Sequence, residues 1–255
     1  MNESLDQIQY LVGSKNRVRV LDYLRKAPAD REELSEQLGI PRSTLSRVLT
    51  GLEEQNWISQ HGPDCESTTL GAFLVEEFSS LMDAVETMQQ LEDVIDYLPM
   101  DEIDFELSRL RDATIATPSQ TDPGAPLRRA MELLREADEF IFLTNTVVSP
   151  LAETLQKQTT QGDLTIVGVI TGELFDTVSD SPEFRERTRE MIESGGAEFY
   201  RYDGPVAQTL GVADETIAAI TQIDRDGHQR AQIETDDEHV CSWVMSTIED
   251  HRRQS

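Results

Sequence analysis

The chain has 255 residues, enough for one or two domains with two favoured, and 49 Asp and Glu against 22 Lys and Arg leave it with a net charge of −27. Only 38% of residues are hydrophobic and 28% are charged, yet the apolar positions are periodic, so the chain reads as folded and not disordered. There is no run of 18 apolar residues and no basic-then-apolar leader, and Cys65 and Cys241 lie too far apart in sequence to suggest a disulfide framework, so membrane-spanning and secreted classes are disfavoured and a cytoplasmic protein is expected.

Leu5, Ile8, Leu11 and Val12 recur at helical spacing and predict a first helix. A second begins after Ser14, whose hydroxyl is placed to cap it, turns Val18, Val20, Leu21 and Leu24 inward, and is closed by Pro28. Asp30 with Glu33 forms a capping-box-like start for a short third helix that carries Leu34 and Leu38 and ends at Gly39. The stretch IPRSTLSRVLTGLEEQNWI then places Leu45, Val48, Leu49 and Leu52 on one side of a fourth helix and Arg42, Ser43, Ser46, Arg47 and Thr50 largely on the other. Two short helices joined by a Gly-containing turn make a helix-turn-helix, whose second helix fits a major groove. Residues 57–59 and 66–69 predict two strands about a turn at 61–64, a wing.

Charge supports this reading. Residues 1–75 carry 11 acids and 8 bases, whereas 76–255 carry 38 and 14. Within residues 13–50 the eight bases Lys15, Arg17, Arg19, Arg25, Lys26, Arg31, Arg42 and Arg47 outnumber five acids, a locally basic island that points to a polyanion. The residues expected to meet double-stranded DNA are Arg31, Arg42, Ser43, Thr44, Ser46, Arg47, Thr50 and His61, because guanidinium groups pair with phosphate or guanine edges and hydroxyls bond phosphate. Over residues 5–75 the segments NRVRVLDYL, LSEQLGIPRSTLSRVLTGLEEQNWI and TTLGAFLVEEF resemble the winged helix-turn-helix of archaeal transcriptional regulators. One departure is Pro41, which stands where that family places a Ser or Thr cap; proline is tolerated there because its missing N–H would be unpaired in any case.

From Leu70 the residues Leu74, Phe78, Leu81, Val85, Met88, Leu91, Ile95 and Leu98 step by threes and fours, nearly a heptad seam, and predict a long helix that joins two copies. A two-fold pair sets its recognition helices roughly 34 Å apart and reads a palindrome. Leu98 and Pro99 close the helix and TPSQTDPGAP reads as a connector. The expected domains are therefore a winged helix-turn-helix over 1–69, a dimerisation helix over 70–98, a linker over 99–125 and an α/β effector domain over 126–255.

In the last of these, strands at 139–143, 164–170 and 197–202 alternate with helical segments, which implies a parallel sheet. Residues 217–223 and 229–234 flank a turn at 224–228 as a hairpin, and a closing helix runs from about 237 to 252. The fold class is thus mixed: an α+β winged helix, a long linking helix, and a C-terminal α/β domain with a mostly parallel sheet. Ligands of parallel sheets bind outside the carboxyl ends of the strands, which makes Thr144, Asn145, Thr171, Tyr202 and Asp203 candidates for lining an effector pocket, although the same residue types are ordinary in loops. Through FIFLTNTVVSPL, ESGGAEFYRYDGP and IETDDEHVCSWV, residues 125–250 resemble the effector domain of haloarchaeal regulators related to the methanogenesis regulatory protein. More distantly they are similar to the phospholipase-D-like sensor domain of TrmB-type sugar regulators. The resemblance implies a transcriptional regulator and leaves its inducer unnamed.

Catalytic signatures are missing. A phospholipase-D-type site needs a His followed two residues on by Lys, and none of His61, His228, His239 and His251 has one; nor is there a GxSxG elbow, a P-loop or a GxGxxG. Two distant Cys and four scattered His make no metal site, and the acids of IETDDEH read as a solvated helix start. The leading expectation is a homodimeric, sequence-specific DNA-binding regulator modulated by a small molecule, with no cofactor, no metal, no membrane partner and no enzymatic activity. The alternatives are a DNA-targeted enzyme with a degenerate phospholipase-D-like domain, and an interaction module that does not bind DNA. With only three lysines among 22 bases, the charge reads as adaptation to a salt-rich cytoplasm, as in halophiles, where self-repulsion is screened.

Overall fold

The first helix, α1 (Asn2–Val12), buries Leu11 but leaves Leu5, Ile8 and Val12 between 44 and 50% exposed. These coordinates come from a computed structural model that describes residues 2–98, 100–223 and 228–255, in two compact units that divide between residues 85 and 86. α2 (Lys15–Lys26) turns Val20, Leu21 and Leu24 into the N-terminal core. Ser14 occupies its N-cap position, but its side chain makes no capping hydrogen bond, contrary to expectation. After the short strand β1 (Ala29–Asp30), the Asp30 carboxylate accepts the Glu33 N–H at 2.8 Å and starts α3 (Arg31–Leu38), which Gly39 ends at φ 61°. That left-handed cap is open to glycine at little cost. α4 (Arg42–Glu54) follows Pro41 and buries Leu45, Val48, Leu49 and Leu52 as its periodicity required.

The wing is present with shifted strands, the first starting one residue later and the second two residues earlier than expected: β2 (Ile58–His61) and β3 (Asp64–Ser67) pair antiparallel across Gly62 and Pro63, and β1 adds to β3 to give the order β1-β3-β2. Cys65 is buried beneath the wing, and burial pushes its thiol pKa up, so its thiolate is disfavoured.

α5 (Thr69–Leu91) is shorter than the seam implied; a 3-10 turn at Ile95–Tyr97 replaces its expected last turns. The seam is also divided. Leu74 and Phe78 pack on the N-terminal core, Leu91, Ile95 and Leu98 on the C-terminal one, and Leu81 and Met88 stay exposed along with Leu70, Phe73 and Met82. Pro99 lies outside the described residues.

The expected linker is structured. It holds a 3-10 turn at Leu107–Leu110, with Leu110 fully buried, and the strand β4 (Thr114–Ala116). There follow α6 (Ala125–Glu136), β5 (Glu139–Thr144), α7 (Ser149–Gln161), β6 (Thr165–Thr171), α8 (Gly172–Asp180), α9 (Pro182–Glu193), β7 (Ala197–Tyr202), β8 (Thr209–Ala213), β9 (Ile217–Ile223), β10 (Gln229–Thr235) and α10 (Glu238–Arg252). The β9–β10 hairpin forms, while residues 224–227 of its turn lie outside the described residues.

The seven strands run in the order β4-β10-β9-β8-β5-β6-β7. Only β5, β6 and β7 are parallel; β8 enters antiparallel between β5 and β9, and the β9, β10 and β4 pairings are antiparallel. The expected mostly parallel sheet is therefore mixed, because β8 was not anticipated and its hairpin partners extend one side of the sheet without crossover helices. Alternation along the strands makes two cores. Leu143, Val169, Val212, Ile220 and Ile233 meet Val240, Val244 and Ile248 of α10 on one face, and Phe142, Ile166, Ile170 and Ala219 meet Leu133, Leu174 and Met191 of α6, α8 and α9 on the other.

Candidate functional site

The exposed side of α4 carries Arg42, Ser43, Ser46, Arg47 and Thr50, opposite the leucines and valine that fix the helix in its core; Thr44 is half-buried. Arg42 is held by Glu32 at the start of α3. Arg31, beside it on α3, donates to Gln60 of the wing at 2.6 Å, and His61 on the wing tip lies 3.1 Å from Glu66. The fold thus brings the first turn of α3, the outer face of α4 and the wing into one neighbourhood.

Half of the basic island serves structure. Arg17 lies over the Tyr10 ring at 3.8 Å and donates to the Tyr10 carbonyl, Arg19 donates to the Leu38 carbonyl at 2.7 Å, and Arg25 and Lys26 both pair with Asp22. Arg17 and Arg19 tie α2 to its neighbours, Arg25 and Lys26 pair within α2, and all four would lose those contacts on meeting a polyanion.

In the C-terminal unit the five candidate effector residues separate into three places. Asn145, Thr171 and Asp203 line an open polar cleft of about 730 Å³ at the carboxyl ends of the parallel strands. Its polar groups are already engaged. Asn145 donates to the Val206 carbonyl at 2.7 Å, Thr171 caps α8 by accepting the Leu174 N–H, and Arg201 is pinned between Asp176 at 2.6 Å and Asp203 at 2.9 Å. Thr144 instead faces a second cavity, where it shares a 2.8 Å hydrogen bond with Thr209. Tyr202 is on the α10 side of the sheet, edge-on to His251 at 4.6 Å.

That second cavity, about 590 Å³, lies between the sheet and the α6–α9 layer. Its floor is apolar along β5, where Phe140 and Phe142 stack at 5.7 Å, and polar along β9 and β10. There Thr221 donates to Gln232 at 2.6 Å, Gln232 donates to Glu234 at 3.1 Å, and Arg129 of α6 closes the chain on Glu234 at 2.6 Å. Glu234 is therefore a buried, paired strand residue and not part of a solvated acidic helix start. Of the same segment, Asp237 caps α10 through the His239 and Val240 amides and pairs with Arg109. Burial works to raise its carboxyl pKa, but those two amides and the guanidinium hold it below its ordinary value. Among the described residues no cluster of His, Cys, Asp and Glu could hold a metal ion, and no helix is long and apolar enough to cross a membrane.

Comparison with known proteins adds the following. Residues 5–90 match the family described as the HVO_A0261 N-terminal domain, and residues 123–254, more than half of the chain, match the middle domain of the methanogenesis regulatory protein FilR1. No functionally curated protein matches. Among solved structures, the archaeal chromatin protein TrmBL2 is 13% identical over 98% of both chains with a TM-score of 0.42. Nuc, a phospholipase D family member from Salmonella typhimurium, is 9% identical over 56% of this chain and 96% of its own, at 0.45. Quinone-bound YodB from B. subtilis is 17% identical over 32% of this chain and 96% of its own, at 0.31.

Proposed function

Because the chain belongs to the family of the methanogenesis regulatory protein FilR1 middle domain, we propose that it is a sequence-specific DNA-binding transcriptional regulator, homodimeric and cytoplasmic, that answers to a small molecule in its C-terminal unit. The observation that carries the reading is the outer face of α4. Arg42, Ser43, Ser46, Arg47 and Thr50 are all exposed on it, with a wing hairpin and Arg31 beside them. The serines and threonine are short enough to let the helix backbone approach a groove, and the two arginines reach bases or phosphates on either side. Among the described residues Arg47 makes no ion pair, and it is the readiest of the candidates to engage DNA.

Homodimerisation is supported by apolar surface on α5: Leu70, Phe73, Leu81 and Met88 are between 55 and 67% exposed, and Leu81 and Met88 stand one heptad apart. The regulator reading is favoured over an enzyme because the chain has no His with a Lys two residues on, which a phospholipase-D-type phosphodiesterase requires.

Genome-wide occupancy mapping, followed by anisotropy on the recovered fragments, tests the reading. Wild type is expected to enrich discrete promoters as a dimer, and Arg42→Ala with Arg47→Ala to abolish that enrichment. Even occupancy across the genome, or transcription unchanged in the double variant, would refute it. A clean monomer by light scattering at micromolar concentration removes the dimer.

A further inference from the structure

The cavity over the β5–β8–β9–β10 face contains two buried polar side chains that the protein leaves incompletely paired. Arg187 of α9 is 8% exposed; its Nε donates to Gln156 at 2.9 Å and one terminal nitrogen reaches Glu183 at 3.3 Å, but Nη1 has no partner among the described residues. Gln229 at the start of β10 is 7% exposed, and neither its amide nitrogen nor its amide oxygen has a partner among the described residues. Both residues line the cavity. Buried polar groups are almost always satisfied, so two incompletely paired ones lining the same cavity point to a hydrogen-bonding ligand.

The rest of the lining describes that molecule. Three exposed large apolar side chains of this unit, Val147, Phe175 and Ile192, line this same cavity and give an apolar solute a landing surface. Inside, Phe140, Phe142 and Phe199 present ring faces and edges. Gly211 makes room for them: a Cβ there would meet the Phe140 ring at 2.4 Å. The polar wall of Thr144, Thr209, Thr221 and Gln232 is bonded within itself, which leaves Arg187 and Gln229 as the open anchors. Charge then selects the head group. Arg187 already has the carboxylates of Glu183 at 3.3 Å and Glu153 at 3.9 Å around it, and its neighbour Gln156 donates to Glu190. Arg185 and Arg189 line the cavity as well, and Arg189 is held by Glu186 and Glu193, so the positive charge around Arg187 is largely matched by carboxylates and a neutral oxygen suffices to accept its free N–H.

We propose that this cavity is the effector site and that it takes a neutral, largely apolar molecule with amide, carbonyl or hydroxyl groups, for which Arg187 Nη1 and the Gln229 amide are two separate open anchors. The proposal rests on the reading of the C-terminal unit as ligand-responsive, and it moves the site away from the polar cleft at Asn145, Thr171 and Asp203.

The test uses the full chain and the fluorescence of bound 1-N-phenylnaphthylamine, displaced by decanamide, 1-decanol and decanoate, three heads on one tail. Decanamide and decanol are expected to displace the probe, with decanoate at least about tenfold weaker. Val178→Trp, which fills the cavity from the half-buried side of α8, should abolish probe binding, and Gln229→Leu, which keeps the side-chain volume, should weaken decanamide about tenfold with circular dichroism unchanged. Displacement by decanoate as strong as by decanamide, or probe binding unaltered by Val178→Trp, overturns the proposal. The parent reading fails separately. Decanamide binding that leaves DNA affinity unchanged upholds the site and removes its regulatory role, whereas DNA affinity that responds only to polar solutes, with the apolar series inert, upholds regulation and removes this site.

Discussion

Gln229→Leu should make the unliganded protein more stable. The wild-type amide is buried on β10 with both of its polar atoms unpartnered, in contact with an apolar cavity. Leaving a buried polar group unpaired costs about 1–3 kcal/mol, and a leucine of similar volume removes that cost while adding apolar contact to the floor. The gain is at the lower end of that range, about 1–2 kcal/mol, because the cavity is open enough to admit water to the amide. For a folding unit of this size that raises the thermal midpoint by roughly 2–8 °C. Differential scanning calorimetry of both proteins without ligand measures it, and urea titration checks that the slope, and so the surface exposed on unfolding, is unchanged. A midpoint at or below wild type would refute the reasoning, since it would mean that the Gln229 amide is already satisfied in the free protein. The sign is informative: a residue whose removal stabilises the empty protein is retained for something other than folding.

Three further outcomes follow from contacts elsewhere. Glu32→Gln frees Arg42 and removes a carboxylate from the DNA-facing side, so DNA affinity should tighten about two- to fivefold at low salt, as expected for an exposed ion pair, and the gain should vanish at high salt; anisotropy at two KCl concentrations reads it. Arg129→Ala strands the Glu234 carboxylate, which is 3% exposed, and should cost about 3 kcal/mol in urea denaturation, while Arg129→Ala with Glu234→Gln recovers more than half of that loss. Asp237→Ala should cost about 1 kcal/mol at neutral pH through the lost α10 cap. Because the folded Asp237 carboxyl titrates below its ordinary 3.8, its contribution is complete above that pH and is lost as pH falls through the folded value, so the gap between variant and wild type should close in acid; a gap that widens below pH 3.8 contradicts the assignment.

The winged helix was legible because every element in it carries a local signal: the Asp30 cap, the Gly39 stop and the leucine stripe of α4 each act within one or two turns. The C-terminal sheet was legible only where strands alternate with helices. β8, with the sequence TLGVA, is short, contains a glycine and is flanked by no helix, so nothing local distinguished it from a loop, and its antiparallel insertion next to β5 is a long-range choice. The cavity network escaped for a related reason. In QRAQIET the residues Gln232 and Glu234 alternate with Ala231 and Ile233, the pattern of a strand with one wet face. Here both faces are buried, and the polar one is satisfied by Arg129 from α6, about a hundred residues earlier in the chain. Arg187 sits in the charged helix PEFRERTREMIE, where nothing local marks it as buried. The seam on α5 was real as a periodicity, but a 3.5-residue repeat does not say which molecule it faces, and the fold gives its two ends to two cores on its own chain.

The net charge of −27 bears on how such a protein holds DNA at all. With Arg17, Arg19, Arg25 and Lys26 committed to contacts inside the N-terminal unit, the island leaves Lys15, Arg31, Arg42 and Arg47 for a polyanion, and Arg42 must first part from Glu32. About three phosphates per copy, or about six per dimer, is then the practical limit, and at a slope of about −0.9 per phosphate such a complex would lose roughly six decades of affinity between 0.2 and 3 M salt. At molar salt, which an acidic surface with scarce lysine suits, phosphate contacts cannot be the main source of binding energy. What remains is direct contact with base edges and the fit of the helix to the groove, neither of which releases many counterions. The outer face of α4 suits that regime: Ser43, Ser46 and Thr50 keep the helix surface low, so that Arg47, which makes no ion pair among the described residues, can be brought to a base instead of a phosphate.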